Sequence, residues 1–304
     1  MTDTTRPDTT QPDVAPPDAT TADARPDWLD HGRWPAPIRS IGMGEHRVAY
    51  SDRGGDGPTL LLVHVGTWSI VWRDVVDRLA ADFRVVTLDA PGNGLSTGPA
   101  RVTIADAARA VDAVVRHLGL DDLTLVFHDL GGPATLEAAA GWPERVRGLA
   151  AVNTFGWRPE GPAFRGMLAV MGSAVVRESD AWTGWLVRAT SGRFGVGRHL
   201  DRDGRRTFRR GMPRRGRRAF HHYLRSARRH DFTTIEATVA DLGHLPLLTV
   251  FGSRNDPLGF QPRWAERFDD VTAVEVPGGN HFPMCDDPVL VADAITTWHR
   301  RAVR

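Results

Sequence analysis

Leu123-Thr-Leu-Val-Phe127 runs directly into His128-Asp-Leu-Gly-Gly-Pro133 and on into Ala134-Thr-Leu-Glu-Ala-Ala-Ala140. The first stretch is continuously apolar, the pattern of a strand covered on both faces, as in a parallel sheet. The last is rich in helix formers. Between them lie two polar residues and two glycines, a sharp turn with no bulk behind it. Strand, turn and helix in that order make a nucleophile elbow, which projects the side chain of the turn residue from the sheet. That residue is Asp129.

Similar apolar runs recur on both sides. They are Thr59-Leu-Leu-Leu-Val63, Arg84-Val-Val-Thr-Leu88, Leu149-Ala-Ala-Val-Asn153, Leu247-Leu-Thr-Val-Phe251 and Val271-Thr-Ala-Val-Glu-Val276, with an alternating segment at Arg47–Ser51. Helical patterns lie between them. Thr103-Ile-Ala-Asp106 reads as a capping box opening a helix with Ile104, Ala108, Val111, Val115 and Leu118 on one face, ended by Gly119. Asp287-Pro288 opens a last helix with Pro in its first turn. Strands alternating with helices predict an α/β fold with a doubly wound, mostly parallel sheet.

The rhythm breaks between Asn153 and Leu247, where helical stretches near 161–178, 180–190, 203–211 and 214–229 replace strands. A structureless loop of that length is implausible in a compact domain, so a helical cap inserted into the sheet is expected. The domain reading is a disordered tail over 1–27, a core over 28–155 and 243–304, and a cap over 156–242. The tail holds mostly Thr, Asp, Pro and Ala and lacks the apolar surface to offset ordering entropy.

Composition narrows the function. The 304 residues are 41% hydrophobic and 25% charged, a globular balance. The net charge of +1, from 38 basic and 37 acidic residues, argues against a generic polyanion binder, so no nucleic-acid partner is expected. Every basic residue is Arg, and fifteen of them fall within 188–230 against only Asp201 and Asp203. A solvated helical face is the simplest account of that cluster, attraction of an anionic substrate the second, and nucleic-acid or phosphate binding the third. The lone Cys285 excludes an internal disulfide framework and a cysteine metal cluster. No apolar run is long enough to span a membrane and no signal-like apolar segment opens the chain, so a cytoplasmic protein is expected.

In an open α/β sheet, ligands bind beyond the carboxyl ends of the strands. Asp129 follows one strand, Asp256 in Gly252-Ser-Arg-Asn-Asp256 follows another, and His281 in Pro277-Gly-Gly-Asn-His281 follows the last. Nucleophile, acid and base thus stand in chain order at positions where they can converge. Gly94-Leu-Ser-Thr-Gly98 matches a serine-nucleophile motif literally, but no strand precedes it and Pro99 follows it, so Ser96 is set aside. A developing oxyanion would meet the backbone N–H of Leu130 and a second N–H from Val65 or Gly66 in the loop after the 59–63 strand.

Four stretches carry a resemblance: His64-Val-Gly-Thr-Trp-Ser-Ile-Val-Trp-Arg73, Asp89-Ala-Pro-Gly-Asn-Gly-Leu-Ser96, His128-Asp-Leu-Gly-Gly132 and Gly279-Asn-His-Phe282. With them the chain resembles the α/β-hydrolase superfamily, in its aspartate-nucleophile branch of haloalkane dehalogenases and epoxide hydrolases, over roughly 37–300. The resemblance implies a catalytic triad of Asp129, His281 and Asp256. Asn153 occupies the earlier of the two positions where dehalogenases place their acid, which carries the acid to Asp256. It also implies a small-molecule substrate and no metal or organic cofactor.

An aspartate nucleophile limits the chemistry. Attack on an sp³ carbon bearing a leaving group gives an alkyl–enzyme ester, and His281 then activates a water to split it. Hydrolysis of a carbon–halogen bond is the leading expectation, epoxide opening the alternative, and a lyase or cyclase reaction on the same scaffold a third. The resemblance places an indole donor for halide directly after the nucleophile, where this chain has Leu130, and an Asn donor that this chain lacks. Trp68 and Trp157 are candidate leaving-group donors, and Tyr223 the candidate acid for an epoxide oxygen.

Overall fold

The computed structural model describes Asp23 and residues 25–303. Eight strands form one sheet: β1 (Ile38–Met43), β2 (His46–Arg53), β3 (Thr59–Val65), β4 (Arg84–Asp89), β5 (Leu123–Asp129), β6 (Val146–Thr154), β7 (Leu247–Gly252) and β8 (Val271–Val276). Their spatial order is β1-β2-β4-β3-β5-β6-β7-β8. Only the pairs β1–β2 and β2–β4 are antiparallel; from β4 to β8 the sheet is parallel.

The continuous apolar runs are explained by the two-residue period of a strand. Leu61 and Val63 face one core while Leu60 and Leu62 face another, and the same division separates Leu125 and Phe127 from Val126. On the first face lie α2 (Ile104–His117) and α3 (Gly131–Ala139); on the second lie α1 (Arg73–Leu79) and α12 (Pro288–Ala302). Burial at about 25 cal/mol per Å² of apolar surface makes both faces indispensable.

The helix over 104–117 forms as its sequence predicts. Thr103 Oγ1 accepts from Asp106 N at 3.2 Å, and Asp106 Oδ2 accepts from Thr103 N at 2.7 Å, so the capping box is closed in both directions. Thr103→Ala is therefore expected to cost about 0.5–2 kcal/mol in urea unfolding, with no change in the denaturant slope.

Between β6 and β7 the helices are α4 (Pro162–Met171), α5 (Ala174–Thr183), α6 (Trp185–Thr190), α7 (Arg202–Arg210), α8 (Arg214–Arg229) and α9 (Thr233–Asp241). Ile235 and Val239 of α9 share the first core with Leu136 and Trp264, so this helix covers the sheet beside α3. Arginines join the helical region to the rest. Arg215 donates to Ser96 O at 2.9 Å and Gly98 O at 3.1 Å, Arg198 lies 3.0 Å from Asp286, and Arg33 lies 2.9 Å from Asp201.

Two helices follow in the last part of the chain, α10 (Phe260–Ala265) and α11 (Pro283–Asp286). Most of the expected tail lies outside the described residues. Its last part is packed: Asp23 accepts from Ile38 N at 3.0 Å, and Arg25 donates to Trp34 O and Ala36 O. These contacts tie that end to β1 and correct the reading of a free tail through residue 27. Among the described residues, no helix is long and apolar enough to cross a membrane.

Candidate active site

β5 ends at Asp129, whose φ is +55°, a left-handed conformation rare for a residue with a side chain. Three contacts hold the turn. Thr154 Oγ1 donates to Asp129 O at 2.6 Å. A Cβ on Gly131 would come within 2.6 Å of Val63 O, and one on Gly132 within 2.1 Å of Thr154 Oγ1. Both glycines are therefore steric requirements of the strand-to-helix turn.

The Asp129 carboxylate faces His281, with Nε2 at 3.4 Å from Oδ2. Both side chains retain exposure, 21% and 38%, because they open into a cavity of about 180 Å³. Thr67, Val187, Phe208, Met212, Phe220 and Phe282 supply much of its wall, with Asp180 from α5 and Arg217 from α8. Burial pushes the Asp129 carboxyl upward, but the hydrogen bond and charge of His281, with the Leu130 N–H, outweigh it and hold the group below its ordinary value. Asp129 is thus held as a carboxylate.

Behind the pair lies a run of neutral imidazoles. His64 Nδ1 and His128 Nδ1 are 2.8 Å apart, and His128 Nε2 lies 2.7 Å from His281 O. Thr67 N donates to His64 Nε2 at 3.0 Å. One tautomer set satisfies every contact: His64 Nδ1–H donates to His128 Nδ1, and His128 Nε2–H donates to His281 O. Burial, then the charge of His281, drives His64 down to about 3 and His128 well below its ordinary range, so both are neutral at pH 7. Asn153 Nδ2 also donates to His281 O, at 3.0 Å, and to Asn280 O at 2.9 Å. The backbone carrying His281 is therefore pinned from two sides.

Asp256 does not join this cluster. Its carboxylate accepts from Phe260 N at 2.6 Å and Gln261 N at 2.9 Å, satisfying the free amides that open α10. Its neighbour Asn255 faces the imidazole instead, with Nδ2 at 3.3 Å from His281 Nδ1. The two geometries have different consequences. Asp256→Ala is expected to cost about 1 kcal/mol of stability through the lost cap. Its kcat should fall by much less than the roughly 10⁴-fold that follows loss of a triad acid. Thermal unfolding together with steady-state kinetics separates the two.

The other expected contacts are redistributed. Gly66 N is taken by Asn93 Oδ1 at 3.0 Å, so its amide is not free for an oxyanion, and Val65 lies in the β3 ladder in register with Asp129. Trp68 is buried and donates its Nε1 to Phe208 O at 3.1 Å. Trp157 packs against Trp264 and Phe260, beneath Arg263 and Arg267, away from this cavity. Tyr223 is buried and donates to Pro91 O at 2.8 Å. The helix explains that miss. Gly216, Ala219 and Tyr223 of α8 meet the 91–92 loop, whereas Arg217 and Phe220, about a third of a turn round the axis, line the cavity. Ser96 is a structural hydroxyl: it accepts from Ala49 N at 2.8 Å and donates to Asp89 O at 2.6 Å.

Comparison with known proteins agrees with this architecture. Residues 58–173 match the family described as alpha/beta hydrolase fold. The chain is 30% identical over 275 residues to haloalkane dehalogenase 2 of Mycobacterium tuberculosis, covering 86% of this chain and 94% of that one. Among solved structures, haloalkane dehalogenase DbeA from Bradyrhizobium elkani USDA94 superposes with a TM-score of 0.74 at 22% identity, over 86% of this chain and 96% of that one. An α/β-hydrolase fold protein from Burkholderia ambifaria gives 0.71 at 25% identity, over 85% and 96%.

Proposed function

The chain belongs to the α/β-hydrolase family, in its haloalkane dehalogenase and epoxide hydrolase-like branch, and from that membership we propose that it hydrolyses a carbon–halogen bond through an ester formed on Asp129. The carrying observation is the carboxylate at the elbow, held ionised 3.4 Å from an imidazole in a small, largely apolar cavity. A carboxylate attacking an ester carbonyl would give an anhydride, whereas attack on a halogen-bearing sp³ carbon displaces halide and leaves an ester.

His281 serves the second step. Nε2, which faces the Asp129 carboxylate at 3.4 Å while Asn255 Nδ2 lies against Nδ1, is the nitrogen placed to take a proton from water as that water attacks the carboxyl carbon of Asp129. The Leu130 N–H meets the oxyanion formed there. Of the region over 156–242 expected as a cap, α5 to α8 are read as the part that closes the cavity, while α9 lies on the sheet beside α3. Epoxide opening has less support, because the cap tyrosine, Tyr223, is committed to Pro91 O and does not line the cavity. A panel of haloalkanes, haloacids and epoxides tests the reading: halide release supports it, and diol formation without halide release on any member replaces it.

An amide orients an imidazole but adds no charge to stabilise imidazolium. Asn255→Asp puts a carboxylate there and is therefore expected to speed hydrolysis of the ester by about tenfold or more at pH 8. Single-turnover kinetics of the variant beside the parent measure the effect.

A further inference from the structure

Displacement at Asp129 moves a negative charge. The carboxylate becomes a neutral ester as the carbon–halogen electron pair departs with the halide, so the negative charge is relocated within the cavity and not lost. Something in its wall must meet that anion at its new place. No tryptophan or amide side chain lines the cavity. Thr67 has committed its hydroxyl to His64 Nε2 at 2.6 Å, and His281 faces Asp129.

Arg217 is differently placed. Its guanidinium is clamped by three backbone carbonyls: Nε donates to Asp180 O at 3.1 Å, one terminal nitrogen to Met212 O at 2.9 Å and the other to Ala181 O at 2.7 Å. A guanidinium has five N–H bonds, so one remains on each terminal nitrogen. The nearby Asp180 carboxylate is occupied by Leu186 N at 2.8 Å and His221 Nε2 at 3.2 Å. Among the described residues, no carboxylate pairs with Arg217 within ion-pair distance. The cation is therefore half-buried, rigidly held by neutral carbonyls and supplied with spare donors in the wall of the Asp129 cavity. Burial pulls the guanidinium pKa downward, with the charges of Arg188 and Arg214 adding to it, and the charge of Asp180 offsets this only in part.

We propose that Arg217 is the anion-binding group of this cavity, meeting either the departing halide or a carboxylate carried by the substrate. The proposal rests on reading Asp129 as the nucleophile only for its catalytic meaning; anion binding itself is independent of that reading.

The test uses chloride and acetate as probes and compares the parent with Arg217→Met, its fold checked by circular dichroism and melting. The parent should broaden the chloride NMR line, acetate should reverse the broadening by competition, and Arg217→Met should lose it. Two substrates identify the source. A fall of about tenfold or more in kcat on neutral 1-bromobutane identifies halide. A rise of about tenfold or more in KM for bromoacetate, with 1-bromobutane unchanged, identifies a substrate carboxylate. Should Arg217→Met not fold, Arg217→Lys keeps the charge without the fork and should weaken chloride broadening without abolishing it. A parent that never broadens chloride overturns the proposal, as does a folded Arg217→Met that broadens it unchanged. Chloride binding that needs Arg217, in a protein that alkylates nothing, would remove the Asp129 reading and leave the anion site standing.

Discussion

Asp129→Ala should abolish turnover while leaving the protein folded. The elbow is set by its backbone contacts and its glycines, and Ala at position 129 keeps the Thr154 hydrogen bond to the main-chain oxygen. A shift to Ala also removes a carboxylate from a partly buried site, so the change in stability should be small. The catalytic loss should not. Without a nucleophile the ester cannot form, and loss of a nucleophile that acts as one unit with its base costs about 10⁶-fold in kcat in the best-studied hydrolases. Loss of measurable halide release with unchanged near-ultraviolet circular dichroism is the expected result. A variant that keeps more than about a hundredth of parental kcat would mean that water attacks substrate directly, with Asp129 acting only on that water.

His281→Phe should separate the two steps. Ester formation needs the Asp129 carboxylate and no base, so one equivalent of halide should still be released. Hydrolysis needs a proton acceptor and should slow by about 10²–10⁴-fold. The alkylated protein then accumulates, and its intact mass should rise by the alkyl group of the substrate. Peptide mapping should place that group on Asp129. Removing the imidazole also removes the His281 contacts that hold the Asp129 carboxyl below its ordinary value. With a folded pKa depressed by His281, the ionised form persists through the ordinary carboxylate range and is lost only as pH falls through the depressed value below it. In the variant that loss should begin at higher pH, so the trapping experiment belongs at pH 8. Full turnover by this variant with no adduct would point to a different base or a different reaction.

Most of the scaffold was legible because burial imposes short, readable periods. Seven of the eight strands stand out as apolar or alternating runs, and the parallel order follows from the helices between them. β1 was not read, because Arg39, Ser40 and Gly42 interrupt its apolar residues and leave no clean alternation. Strand ends put Asp129 and His281 on the same edge of the sheet, and the structure brings them together. Side-chain direction within a turn has no such signature. Asn255 and Asp256 are adjacent, yet one faces the imidazole and the other the amides of α10. Chemical preference for a carboxylate favoured the wrong neighbour. The cap was harder still. Arg217 was one of fifteen arginines in its segment, and only the packing of α8 shows which of them turns inward. Tyr223, on the same helix, looked functional for being scarce and proved to be a buried packing residue with its hydroxyl satisfied.

The central claim is that the Asp129 carboxylate is transiently esterified, and oxygen labelling tests it most directly. Parent enzyme in excess over a haloalkane, taken through a single turnover in H₂¹⁸O, should incorporate the heavy oxygen into the carboxylate of Asp129 while the alcohol leaves with ordinary oxygen from the protein. Heavy oxygen found in that first alcohol, with the Asp129 peptide unlabelled, would contradict the account.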